Sequence, residues 1–229
     1  MLKKINLEII LRSIIVLLIF HYAVYLQLIP VKLLNLDVHS LSKSMLVLLS
    51  AFSSISLFII YFFIYHKDLK KEFKIFMKNP LEKFDIGFKY WMFGLIIMMA
   101  SNFILTYLLK SDGAANEQAV QSMLKTLPWL MFITAGVIAP FNEEIVFRKT
   151  LKDVFKNKWV FAILSFLLFG GAHVMDTAKT IIDVLYIIPY GALGGAFALA
   201  YYDTDTIFTP LSLHMMHNII LSILSILVL

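Results

Sequence analysis

Glu143, Glu144 and Arg148 sit together in one apolar segment of this chain, His173 sits in the next, and His214 and Asn218 interrupt the last. A charged side chain at the centre of a bilayer costs roughly 2.5–3.5 kcal/mol on insertion scales. Residues that incur such a cost mark a site lining a protein-enclosed or water-filled cavity. Two adjacent carboxylates in a medium of low dielectric cannot both stay unpaired and ionised. On a helix, Glu144 and Arg148 are four residues apart and share a face, so they can form an ion pair. Glu143 points about 100° away round the axis and has no obvious local partner. One acid is thereby neutralised and the other is a candidate general base. A helix end where two acids and an arginine meet the interface fits that motif alone equally well.

His173 lies on the same face as Phe169 in Phe169-Gly170-Gly171-Ala172-His173, where the small residues admit the close approach of another helix or of a substrate backbone. A lone histidine at a helix end is more often packed than catalytic. His214 and Asn218, again four apart, can both donate hydrogen bonds and so could hold a developing oxyanion. His217 falls on the same broad face and reads as a packing neighbour. His21, His39 and His66 lie in loops or at helix ends and carry no assignment.

Seven apolar segments must position these groups: Leu7–Ile29, Met45–Tyr65, Gly87–Leu109, Leu127–Arg148, Trp159–Val174, Ile181–Tyr202 and Ile207–Leu229. Each is near the ~20 residues a spanning helix needs. The 229 residues are 60% hydrophobic and 15% charged, against about 25% charged in soluble domains, and mean hydropathy is +0.84. The expected fold is all-α: a polytopic membrane bundle of about seven, possibly eight, transmembrane helices. Continuous apolar runs without alternation argue against a β-barrel. The organisation read from the chain is 1–126, N-terminal helices with a basic cytoplasmic loop, and 127–229, a catalytic core, in one compact unit. With no cysteine, disulfides, thiolate metal sites and a cysteine nucleophile are excluded.

The first segment is too long for a signal-peptide core and lacks a small-residue cleavage site, so a retained helix is expected. The formal charge of +5 reads as membrane orientation, since no aromatic-studded basic groove points to nucleic acid. Lysines concentrate at Lys67–Lys83 and Lys149–Lys158, which places the N-terminus and both loops in the cytoplasm. Leu69, Phe73, Phe76 and Met77 recur at helical spacing among those lysines, as in a basic amphipathic helix on the inner leaflet; a solvated charged loop fits as well. Ser111–Thr126 reads as a turn at Asp112-Gly113 and a short polar helix closed by Pro128. At 1.5 Å per residue, Glu143, His173 and His214 lie roughly 13, 20 and 13 Å from the cytoplasmic boundary. Three separate helices then place polar groups at a common depth, in a site expected to open more readily to the cytoplasm.

Glu143-Glu144-Ile145-Val146-Phe147-Arg148 resembles the EExxxR motif of the CAAX prenyl protease and bacteriocin-processing family, also called the Abi family. Phe169 to His173 matches its FxxxH motif and His214 to Asn218 its HxxxN motif, in the family's order on separate helices. The resemblance runs from Leu127 to the C-terminus. It implies an intramembrane endopeptidase in which Glu143 with His173 activates a water, His214 and Asn218 stabilise the oxyanion, and Glu144 and Arg148 shape the site. Glu143, His173 and His214 could instead bind zinc as a His₂Glu set, with Asp176 the candidate to orient His173. There is no H-E-x-x-H pair, and metal-free chemistry is expected. Membrane-associated peptides or proteins in the bilayer are the expected partners. Two other readings stay open: a bacteriocin self-immunity or scaffold protein acting by binding, and a proton-coupled transporter, although no inverted repeat is found.

Overall fold

The computed structural model describes residues 7–111 and 113–228. Asp112 and Leu229, invoked above, lie outside them. The helices are α1 (Leu7–His21), α2 (Leu28–Leu33), α3 (Lys43–Phe76), α4 (Pro80–Phe103), α5 (Ala115–Thr126), α6 (Pro128–Ile133), α7 (Ala139–Glu144), α8 (Thr150–Val154), α9 (Lys158–Val174), α10 (Ile181–Leu185), α11 (Ile187–Thr204) and α12 (Phe208–Val228). No strand occurs among the described residues. Five helical stretches are long and apolar enough to cross a membrane: Lys43–Phe76, Pro80–Leu108, Pro128–Val154, Ile181–Thr204 and Phe208–Leu227. The chain is a multi-pass helical membrane protein.

Two of the seven expected segments depart from a simple span. The first is bent by 56° between Leu7–His21 and Ala23–Leu33. The break coincides with a 3-10 turn at Ala23–Gln27, where the Ala23 carbonyl accepts a hydrogen bond from Ser53 Oγ at 2.8 Å. The fifth is α9, which at 17 residues is about 25 Å long and falls short of the usual length. The count is therefore five, or six if the bent pair is one span.

The basic segment after the second span is not a separate surface helix. It continues α3, whose 34 residues reach about 51 Å, well beyond a ~30 Å core. Leu69 is buried, and Phe73 packs edge-on to Phe208 at 5.2 Å. What anchors this extension is Glu72, for which the sequence carries no signal. Its carboxylate accepts from Tyr201 Oη at 2.8 Å and from the Ile207 backbone N–H at 2.7 Å, and Lys149 Nζ lies 3.3 Å away. Arg12 of α1 bridges Asp68 and Asp153 at 2.7 and 3.0 Å. This network, buried at Glu72 and Lys149 and partly exposed at Arg12 and Asp68, fastens α1, α3, α8, α11 and α12 to one another at the end of the bundle that carries the lysine-rich segments.

The core of the bundle is α11, packed between α4 and α9. Close approach depends on glycine. A Cβ on Gly170 of α9 would lie 2.6 Å from the Ile187 carbonyl oxygen and 3.2 Å from the Gly191 nitrogen, both backbone atoms of the α11 region. One on Gly171 would meet nothing nearer than Met175 Cγ at 3.9 Å. Of the two small-residue positions, Gly170 therefore admits the neighbouring helix. Gly170→Ala is expected to cost ~1–3 kcal/mol as overpacking. Gly171→Ala should be neutral or stabilising by up to ~1 kcal/mol through helix propensity. Thermal unfolding of the two variants in detergent checks this, and an equal shift in both would refute the contact.

Candidate active site

The helix that carries the acids is not regular. It passes through π-turns at Thr134–Ile138 and Ile145–Lys149, and turns of this kind recur at functional sites. The first has a readable cause. Pro140 lacks an N–H, and its ring would clash with the carbonyl four residues earlier in a regular helix. Here the Ala139 N–H reaches back to the Thr134 carbonyl, skipping that of Ala135. The residue five after Ala135 is Pro140, which has no N–H to offer. The Ala135 carbonyl is thus released from the ladder, and Asn218 Nδ2 donates to it at 2.9 Å. A proline in one helix thereby fixes the amide of a residue in another.

The second π-turn separates Glu144 from Arg148, and they still pair as expected: Arg148 Nη1 lies 3.3 Å from Glu144 Oε1. Both side chains are essentially inaccessible. The Arg148 guanidinium lies over the ring of Phe169, 4.3 Å from its centroid, and near that of Phe197 at 5.5 Å. Its nitrogens make no hydrogen bond among the described residues, and neither does Glu144 Oε2. Buried polar atoms of this kind are usually satisfied by ordered water.

His214 joins the two acids. Its Nδ1 is 2.8 Å from Glu144 Oε1 and its Nε2 is 3.5 Å from Glu143 Oε2. The expectation that Glu143 lacks a partner holds along its own helix and fails across the bundle. The Glu143 side chain keeps 19% of its surface accessible, against 1% for Glu144. The His214 ring stacks on Phe197 with centroids 5.0 Å apart. His173 is held differently: its Nδ1 is 2.8 Å from the Phe169 carbonyl oxygen. Because a carbonyl only accepts, Nδ1 carries the hydrogen and Nε2 keeps its lone pair. The ring stacks on Tyr190 at 4.6 Å. The Phe169 carbonyl and Tyr190 therefore orient His173, and Asp176, the candidate for that role in a zinc site, is not among its contacts.

Glu143, His173, His214 and Asn218 line one cavity of about 490 Å³. Glu144 and Arg148 stand behind it, outside the lining. His217 also lines it and packs against Trp91 at 6.3 Å, which agrees with its reading as a neighbour. Asn102 and Thr106 of the α4 span reach the same cavity. The signal that could have found them is two polar residues four apart in an apolar run. Tyr190 carried no comparable signal, because an aromatic residue in an apolar helix is ordinarily core.

The expected opening at the lysine-rich end is not met. From Glu143 and His214 the lining continues to Tyr186, Gly113, Asn116 and Glu117, towards the ends of α4 and α9 and the start of α5. A small second cavity beside His173, lined by Ala114, Thr177 and Asp183, lies at that same end. Residues of the lysine-rich loops do not line either one.

Residues 125–220 match the family model described as type II CAAX prenyl endopeptidase Rce1-like. Over 106 residues, 45% of this chain, the sequence is 32% identical to the protein named "Putative membrane peptidase YdiL" of Bacillus subtilis (strain 168). It is 29% identical over 104 residues, 43% of the chain, to "UPF0177 protein YxdF", and 40% identical over 62 residues, 27% of the chain, to "UPF0177 protein YbdI", both of Lactococcus lactis subsp. lactis. The matches cover 40%, 59% and 33% of those relatives' own lengths, so the chain spans less than two thirds of each. No solved structure matches the chain.

Proposed function

We propose, from a chain whose residues 125–220 match the family recognised in its three motifs, that this protein is an intramembrane endopeptidase. It would hydrolyse peptide bonds of membrane-associated peptides or proteins. The observation that carries the reading is the unequal treatment of two neighbouring acids. Glu144 is sealed against Arg148 and His214, while Glu143 keeps an accessible carboxylate on a cavity shared with His173, His214 and Asn218.

In the proposed reaction Glu143 takes a proton from a water held by the free Nε2 of His173. The hydroxide attacks the peptide carbonyl carbon, and the oxygen becomes an oxyanion. The second amide hydrogen of Asn218, the first being given to Ala135, donates to that oxygen. His214 gives its Nδ1–H to Glu144, so an Nε2–H for the oxyanion requires a second proton on the ring. Glu143, 3.5 Å away, is the group from which it can come. When the carbon–nitrogen bond breaks, that proton passes from His214 Nε2 to the leaving amine, which leaves His214 neutral and Glu143 ionised as at the start. Preorganised donors of this kind are usually the largest single contribution to such catalysis.

A catalytic zinc would need Glu143, His173 and His214 to converge on one point. Among the described residues no group of three His, Asp or Glu side chains is placed to hold a metal. These residues do not fit the group, which supports metal-free chemistry. Purified protein is expected to keep its activity in strong chelator with much less than one metal per chain. Elemental analysis finding about one zinc per chain, lost together with activity in His173→Ala and His214→Ala, would restore the metal-dependent reading.

The catalytic core is assigned to 127–229, with Asn102, Thr106 and Asn116 lent to the cavity wall from the preceding helices. The lysine-rich loops and the N-terminal end are assigned to the cytoplasm on the charge bias.

A further inference from the structure

We infer that the catalytic cavity is entered from the non-cytoplasmic side, so that its substrate is a peptide segment presented at the outer face of the membrane. This rests on the endopeptidase reading above. Two independent observations carry it. The first is charge. Lys67, Lys70, Lys71, Lys74 and Lys78 lie at the end of α3 and the turn into α4. Lys149, Lys152, Lys156 and Lys158 lie from the end of the fourth span to the start of α9. The fold joins these segments at one end of the bundle, through the Glu72–Lys149 and Lys158–Asp203 ion pairs. Only Lys32, Lys43, Lys110, Lys125 and Lys179 fall in the segments at the opposite end. An excess of lysine in short loops marks the cytoplasmic side.

The second observation is the course of the cavity. α4 and α9 run away from the lysine-rich end, so Asn102, Thr106 and His173 sit near their far ends. The lining proceeds from Glu143 past these residues to Gly113, Asn116 and Glu117 at the start of α5. α5 connects the far end of the α4 span to Pro128, the start of the fourth, and so lies wholly at that far end. Glu143 and Glu117 are the charged lining residues, and no lysine or arginine joins them. The route therefore suits an uncharged or cationic segment.

The absence of cysteine from the chain makes the test direct. In intact cells expressing the full chain, a membrane-impermeant maleimide is applied to single variants Ser122→Cys on α5, Lys71→Cys on the α3 extension, and Ser225→Cys inside the cavity. Thr106→Cys serves as a second cavity position. Expected is labelling of Ser122→Cys and of the cavity cysteines from outside, with Lys71→Cys labelled only after permeabilisation. The reverse pattern, or cavity cysteines reached only in inverted vesicles, would overturn the inference. Labelling does not require turnover and should persist in a Glu143→Gln background. A chain that cleaves nothing but labels as expected would refute the endopeptidase and leave the sidedness standing.

Discussion

Glu143→Gln is expected to abolish cleavage while the protein still accumulates in the membrane at near-normal yield, and Glu144→Gln is expected to cut the folded yield. The substitutions are chemically identical, so the difference must come from surroundings. At position 143 a glutamine keeps the shape of a side chain that is partly open to the cavity, and loses only the ability to accept a proton. At position 144 the acid is the counter-charge of a fully buried arginine and also accepts from His214 Nδ1. Removing one partner of a buried ion pair costs ~3–5 kcal/mol, a large share of a typical stability of about 5–15 kcal/mol. Immunoblots of membranes report yield, and mass spectrometry of membrane peptides reports an uncleaved species that accumulates with Glu143→Gln. Equal loss of activity at equal, wild-type yield in both variants would sink this division of labour. Any cellular phenotype fully retained by Glu143→Gln would favour action by binding.

Asn218→Ala should lower turnover by roughly 10²–10³, the range for removing one oxyanion donor. His217→Ala should cost far less. Asn218 is aimed by its bond to the Ala135 carbonyl, so truncation also strands that acceptor. The resulting stability loss should be about 1–3 kcal/mol, the cost of a buried acceptor left unpaired, and it is read separately from turnover of the folded enzyme. His217 lines the same cavity but packs on Trp91 and lacks a comparable anchor. Kinetics measured beside unfolding temperatures separate the two contributions. A larger loss in His217→Ala would mean that the wrong residue of α12 faces the scissile bond.

Much of the site was legible because its cost is local. A charge in an apolar helix is visible in sequence, and spacing of four residues fixes a shared face whatever surrounds it. The Glu144–Arg148 pair, the polar helix after Gly113 and helices over the apolar segments, with the second running on to Phe76 and the first bent, follow from that. Contacts across the bundle have no such local signature. Nothing in the spacing of α12 says that His214 bridges two carboxylates on another helix, or that Asn218 reads a carbonyl released by Pro140. Glu72 is one acid among lysines until the fold buries it against Tyr201 and Ile207.

The direction of the cavity is the clearest case. Depth along each helix can be counted at 1.5 Å per residue, and the counts place the polar groups near mid-membrane. Which end of a mid-membrane site is open depends on which helix ends spread and which are stapled. The sequence by itself determined the helices, their order, the polar residues they carry and the lysine bias between their two ends, because each is set within a turn or two of chain. The tertiary structure decided how the two acids divide, what aims His173 and Asn218, and where the cavity leads, because those depend on side chains far apart in sequence meeting in one packed interior.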